Sequence, residues 1–192
     1  MRQWIRKGSL SGPKLRSEMD AHEASVLRSL VASVLGMLED RSAQAPHDDL
    51  AALTGLRTGN STPPEIPALR RLLPEFHRPD ADATVHPDDE SGDLNGALRS
   101  LHEPGIIDSK LAAGAVILRT VPEDGGKVVL NPEQAEAWLY GLNDVRLALG
   151  TTLGIDADTP EVLDDDDPRA PHLDVYHWLT WMQDSLVQAL HP

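Results

Sequence analysis

The chain has 192 residues, with 17 basic against 31 acidic side chains, a formal charge of −14 and no cysteine. Lack of cysteine excludes disulfides, thiolate nucleophiles and Cys-bound zinc or iron–sulfur clusters. The sign of the charge excludes a uniformly basic nucleic-acid binder. A hydrophobic content of 40% suits one globular domain over residues 1–192, large enough to bury its own core. Residues 1–12 are basic but lack the apolar stretch of a signal peptide. The longest apolar-rich run, Leu111–Leu118, is far shorter than the ~18–20 residues that cross a bilayer. The expectation is a cytoplasmic protein without a membrane contact.

Gln3–Lys7 and Lys14–Ser17 read as two short strands joined by a Gly/Ser/Pro turn. Ser17 and Asp20 form a capping-box pattern that opens a helix over about Glu18–Asp40. Its apolar stripe runs from Val26 through Leu38 at spacings of three and four. A short helix is expected at His47–Thr54, and about two helical turns at Pro67–Leu73. Residues 80–93 hold six acids and no Lys or Arg, and read as a solvated connector.

Leu94, Leu98 and Leu101 mark a further helix, which Pro104-Gly105 is expected to break. Asp108 then caps another, carrying Leu111, Ala115 and Leu118. Asp124-Gly125-Gly126 is a turn and Lys127–Leu130 a strand. Asn131-Pro132-Glu133-Gln134 is the clearest helix start: Asn accepts at the cap, Pro occupies the first turn, and Gln closes the box. That helix runs to about Leu153, before Gly154. Residues 156–167, with seven acids and no base, form a second connector, and a last helix spans 168–190. The fold class is therefore mainly α: a multi-helix bundle with a small two- or three-stranded β-sheet from the N-terminal segment and residues 127–130.

The chemistry-bearing candidates are few. No phosphate loop and no nucleophile elbow occur. His172, Asp174 and His177 form the best local metal-binding group, but no third ligand is evident and an exposed helix face that happens to carry them is the favoured reading. The Asp156–Asp167 run departs from a calcium loop, because Pro160 stands at its fifth position and no glycine follows. Glu18, His22 and Glu23 near one helix start are accounted for by the helix dipole. No catalytic residue, metal ligand or cofactor is assigned.

Four groups remain. Arg2, Arg6, Lys7, Lys14 and Arg16, with no acid among residues 1–17, are a candidate nucleic-acid contact; the alternative is a cationic strand that pairs with the protein's own acid. Arg146 and Asn143 lie in a helix apolar on most sides and are expected to be structural, partly buried polar groups. The alternative for Arg146 is an anion ligand. Trp181, with His177, stands opposite the last helix's apolar stripe and is a candidate interface. The same helix is a candidate homodimer face.

Ala135-Glu136-Ala137-Trp138-Leu139 and the run from Leu142 to Gly154 resemble the central signature of the actinobacterial DUF2017 family. Leu53-Thr54-Gly55, Leu101-His102-Glu103-Pro104, Gly125-Gly126-Lys127-Val128 and Asp174–Trp181 match in the same order. Some members are labelled oxidative-stress transcriptional regulators. The resemblance implies a cytoplasmic regulator acting through promoter DNA, RNA polymerase or a sigma factor. It brings no catalytic residues. A cysteine-disulfide switch cannot operate here, which leaves oxidation at Met1, Met19, Met37 or Met182. Three functions follow: a non-enzymatic regulator working through protein partners, a DNA binder using the N-terminal segment, or an unrecognised enzyme or metal protein.

Overall fold

A computed structural model describes residues 1–8, 12–46, 57–76, 91–164 and 166–191. The helix expected at His47–Thr54 lies outside the described residues, as does most of the first acidic connector. The element order is β1 (Ile5–Lys7), β2 (Lys14–Met19), α1 (Ala21–Ala43), α2 (Pro67–Leu72), α3 (Ser91–Thr120), β3 (Gly126–Leu130), α4 (Pro132–Leu153) and α5 (Ala170–Leu190). The mainly helical class and the small sheet are as expected.

The sheet has the order β1-β2-β3 and is antiparallel throughout. Its register pairs Ile5 with Arg16 and Arg16 with Val129, while Lys7 opposes Lys14 and Glu18 opposes Lys127. Alternation decides the faces. Leu15, Met19, Val128 and Leu130 point into the core; Arg16 and Val129 point outward.

The first helix starts later than the sequence pattern implies. Glu18 and Met19 join the ladder to β3, and Asp20 becomes the N-cap. Its carboxylate accepts from the Glu23 backbone N–H at 2.8 Å, and the Glu23 side chain accepts from the Asp20 N–H at 2.8 Å. Gly125, at φ +75°, lies against this cap; a Cβ there would come within 2.5 Å of the Asp20 carbonyl carbon.

Pro104 does not break α3, which runs unbroken through it. Proline removes the N–H that the Ser100 carbonyl needs. Gly59 supplies the replacement: its N–H donates to Ser100 O at 2.7 Å, and Ser100 Oγ donates to Gly59 O at 3.2 Å. The orphaned acceptor is satisfied from a loop some forty residues upstream. The first acidic connector accordingly ends before Ser91, and the last helix starts two residues later than expected.

α4 is the central element. Asn131 and Gln134 form the expected capping box, and Gly154 at φ +66° ends the helix. Ala135, Trp138, Leu142, Val145 and Ala148 are buried against the other helices. Trp138 is fully enclosed, meets Trp4 edge-on at 5.4 Å, and donates its indole N–H to Thr120 Oγ1 at 2.8 Å. The first strand is tied to the last helix. Trp4 N donates to Ser185 Oγ at 2.9 Å, and Arg6 donates to the Leu190 carbonyl at 2.8 Å. Among the described residues, no helix is long and apolar enough to cross a membrane.

Candidate functional site

The five N-terminal basic residues do not act as one group. Arg6 covers a carbonyl at the C-terminal end of α5, where a cation also suits the helix dipole. Arg2 faces Glu18 at 3.2 Å. The Ser17 hydroxyl donates to the Arg2 carbonyl and fixes the chain there. Lys7, Lys14 and Arg16 remain without an ion pair among the described residues. All three stand on the outer face of the sheet, where the register adds Lys127 from β3.

This face is mixed rather than purely cationic. Ile5 and Val129 flank Arg16 in one row across the three strands, and each is close to half exposed. Arg16 thus stands between two exposed apolar side chains, with Lys7 and Lys14 on one side of the row and Glu18 and Lys127 on the other. The other edge of the arrangement is β1 itself, whose outer side is unpaired.

Trp181 and His177 are exposed on neighbouring turns of α5. Trp181 lies one turn before Ser185, the residue that holds β1. The exposed tryptophan therefore sits near the junction of last helix and first strand.

Arg146 is half-buried between α4 and α5. Its guanidinium donates to Thr180 Oγ1 at 3.0 Å and to Gln183 Oε1 at 2.6 Å, and lies 5.3 Å from the Tyr176 ring centre. Gly150 makes room for that ring, which passes 3.2 Å from where its Cβ would be. Neutral acceptors and a π-face hold the charge, with no carboxylate among the described residues. Asn143 is half-buried too, and lines a groove between α3 and α4.

The same groove holds a Lys110–Asp144 pair, Nζ to Oδ1 at 2.6 Å. Burial raises the Asp144 carboxyl above its usual range, and the Lys110 hydrogen bond and charge offset this only in part. A second polar cluster is entirely internal. Glu103 accepts from Arg41 Nε at 2.8 Å and from Arg99 at 3.0 Å, and all three side chains are almost wholly buried. Arg41 also donates to Thr62 O at 2.6 Å and Arg99 to Leu73 O at 3.2 Å, so the cluster joins α1, α3 and two loops.

Two of the remaining candidate carboxylates, Glu23 and Asp156, are already engaged. Glu23 closes the α1 cap and pairs with the Met1 amino group. Asp156 accepts from the Asp158 N–H and the Thr159 hydroxyl, and these bonds hold its carboxyl below the usual range. Among the described residues, no three His, Asp or Glu side chains come together as a metal site.

Residues 1–190 match the family described as Domain of unknown function (DUF2017). The chain belongs to the DUF2017 family. It is similar to the "Oxidative stress regulator AosR" of Mycobacterium bovis and of Mycobacterium tuberculosis strain H37Rv. Each is 45% identical over 192 residues, covering 99% of this chain and 88% of the relative. The "Putative oxidative stress regulator AosR" of Mycobacterium leprae is 44% identical over the same coverage. No solved structure matches.

The stretches that carry the DUF2017 resemblance fall on distinct features. Leu101–Pro104 supplies Glu103 and the proline bridged by Gly59. Leu142–Gly154 supplies Asn143, Asp144 and Arg146, and Gly125–Val128 supplies Lys127. Sequence reasoning missed Lys127 because strand register, not sequence proximity, brings it beside Arg16 and Glu18. It missed the Glu103 cluster because Arg41 and Glu103 are 62 positions apart. The i, i+4 spacing of Arg99 and Glu103 was the one local signal.

Proposed function

We propose that this chain is a non-enzymatic regulatory protein that works by docking a macromolecular partner on the outer face of its sheet. One observation carries this: exposed Ile5 and Val129 stand on either side of Arg16, Lys7 and Lys14 lie on one flank of that row and Lys127 beside Glu18 on the other, and these four cations have no ion pair among the described residues. Apolar side chains interleaved with arginine are what protein interfaces bury. A mainly basic face on a chain of net charge −14 selects an acidic partner surface and steers its approach. The relatives named as oxidative stress regulators support a regulatory role. The family resemblance points to RNA polymerase or a sigma factor as the partner class, and to a cytoplasmic location.

A second reading, duplex DNA on the same face, is favoured only by the clustering of these four cations, which have no ion pair among the described residues. Four phosphate contacts give a log–log salt slope of about −3.6, against a background charge that repels phosphate.

The test is a variant with Lys7, Lys14, Arg16 and Lys127 changed to Ser, leaving Arg6 in place to cover α5. Binding to purified RNA polymerase holoenzyme, to isolated sigma factors and to a promoter duplex is measured over a salt series. Exposed charge contacts contribute about 0.2–1 kcal/mol each. The expected result is protein binding weakened at least about fourfold, with an unchanged melting temperature. Equal protein binding by both forms would overturn the proposal. Salt-steep DNA binding lost in the variant would establish the second reading instead.

A further inference from the structure

The groove between α3 and α4, about 720 Å³, plays no part in the sheet-face reading. Its volume lies within the range of about 300–1,000 Å³ typical of small-molecule sites. Part of its lining is apolar: Ile106 and Ala113, with Gly105 beside them. Its rim carries rings: Phe76 and His102, tilted at 36° with centres 5.9 Å apart, and Tyr140, which is 70% exposed. Its polar end is Lys110, Asn143 and Asp144.

The hydrogen-bonding capacity of that end is only partly used. Lys110 gives one proton to Asp144 Oδ1 and keeps two more. Asp144 Oδ2 accepts nothing among the described residues, and the Asn143 amide is likewise unpartnered there. A mostly exposed tyrosine in a groove lined by apolar side chains and by unspent donors and acceptors is not explained by packing.

We propose that this groove binds a flat, uncharged heteroaromatic molecule bearing a carboxamide or lactam edge. Three features select that class. The rings of Phe76, His102 and Tyr140 beside apolar Ile106 and Ala113 favour a planar ligand lying against them. The Lys110–Asp144 pair carries no net charge, so it attracts neither an anion nor a cation as a whole, whereas a neutral edge can use the spare Lys110 protons and Asp144 Oδ2 together. Asn143 offers one donor face and one acceptor face, which match an adjacent acceptor and donor on the ligand edge.

The probe is nicotinamide, a neutral aromatic carboxamide, titrated into the whole chain by ligand-observed saturation-transfer NMR. Benzoate, benzamidine and cyclohexanecarboxamide test charge and planarity separately. Saturable binding of nicotinamide, with each of the other three weaker, is the expected result. Tyr140→Ala should weaken it about five- to tenfold without moving the melting temperature, because that ring is mostly in solvent. Asn143→Leu should weaken it further, with folding checked by circular dichroism. The four-site sheet variant should bind nicotinamide as the parent does, so failure of one proposal is distinguishable from failure of the other. No binding of nicotinamide, binding that either charged analogue or the saturated ring matches, or binding that Tyr140→Ala and Asn143→Leu leave intact overturns the assignment.

Discussion

Glu103 lies between two guanidinium groups that arrive from different elements, Arg41 from the last turn of α1 and Arg99 from one turn earlier on α3. Two cations share one carboxylate, and all three are nearly excluded from water. Backbone acceptors at Thr62 and Leu73 take further donors. Desolvating such groups is costly, so the cluster is weak evidence of stability in itself. Its removal is different. Glu103→Ala leaves two buried, mutually repelling arginines and should lower unfolding free energy by about 3–5 kcal/mol, read from urea midpoints. A loss below about 1 kcal/mol would show that water already reaches the site. Beyond the i, i+4 spacing of Arg99 and Glu103, little of this was legible in the sequence, because Arg41 and the backbone acceptors come from distant segments. Arg146 was legible as a polar residue in an apolar helix. Its actual partners, Thr180, Gln183 and the Tyr176 ring, were not, because they depend on how α5 lies against α4.

At the scale of elements, local rules succeeded where the chain itself supplies the partner. Asn131 and Gln134 cap α4 as read, because both donors and both acceptors lie within four residues. They failed at Pro104, where the compensating N–H comes from Gly59. At α1, a box one turn later won because β2 pairs through Met19. The Gly59 bridge gives a test with an internal control. A Cβ at Gly59 would stand 2.9 Å from Cγ and Cδ of the rigid Pro104 ring, and the loop must withdraw from Ser100. Gly59→Ala should therefore destabilise by about 1–3 kcal/mol. Gly36→Ala, in α1 with open space around it, should stabilise by up to about 1 kcal/mol. Thermal melts of both variants check the opposite signs; two shifts in the same direction would contradict the account of α3.

At the scale of the whole molecule, the chain folds its start onto its end. Trp4 and Ser185 are 181 positions apart, and Arg6 and Leu190 are 184 apart. Without those two contacts, β1 is a three-residue edge strand whose side chains are all exposed. The proposed docking face thus depends on the last helix, although most of its cations come from the first seventeen residues. Ser185→Ala tests this dependence. It removes the acceptor of the buried Trp4 N–H, a loss of about 1–3 kcal/mol. The strand should open locally before the core does, since low-stability segments exchange by their own openings. Hydrogen exchange should quicken at residues 5–7 and 14–16 while the amides of α4 keep most of their protection. Binding of the partner on the sheet face should weaken in step, although no cation has changed. Uniform loss of protection across the chain would mean that β1 and the core open as one unit. Partner binding unchanged in a variant with a frayed β1 would place the docking face elsewhere.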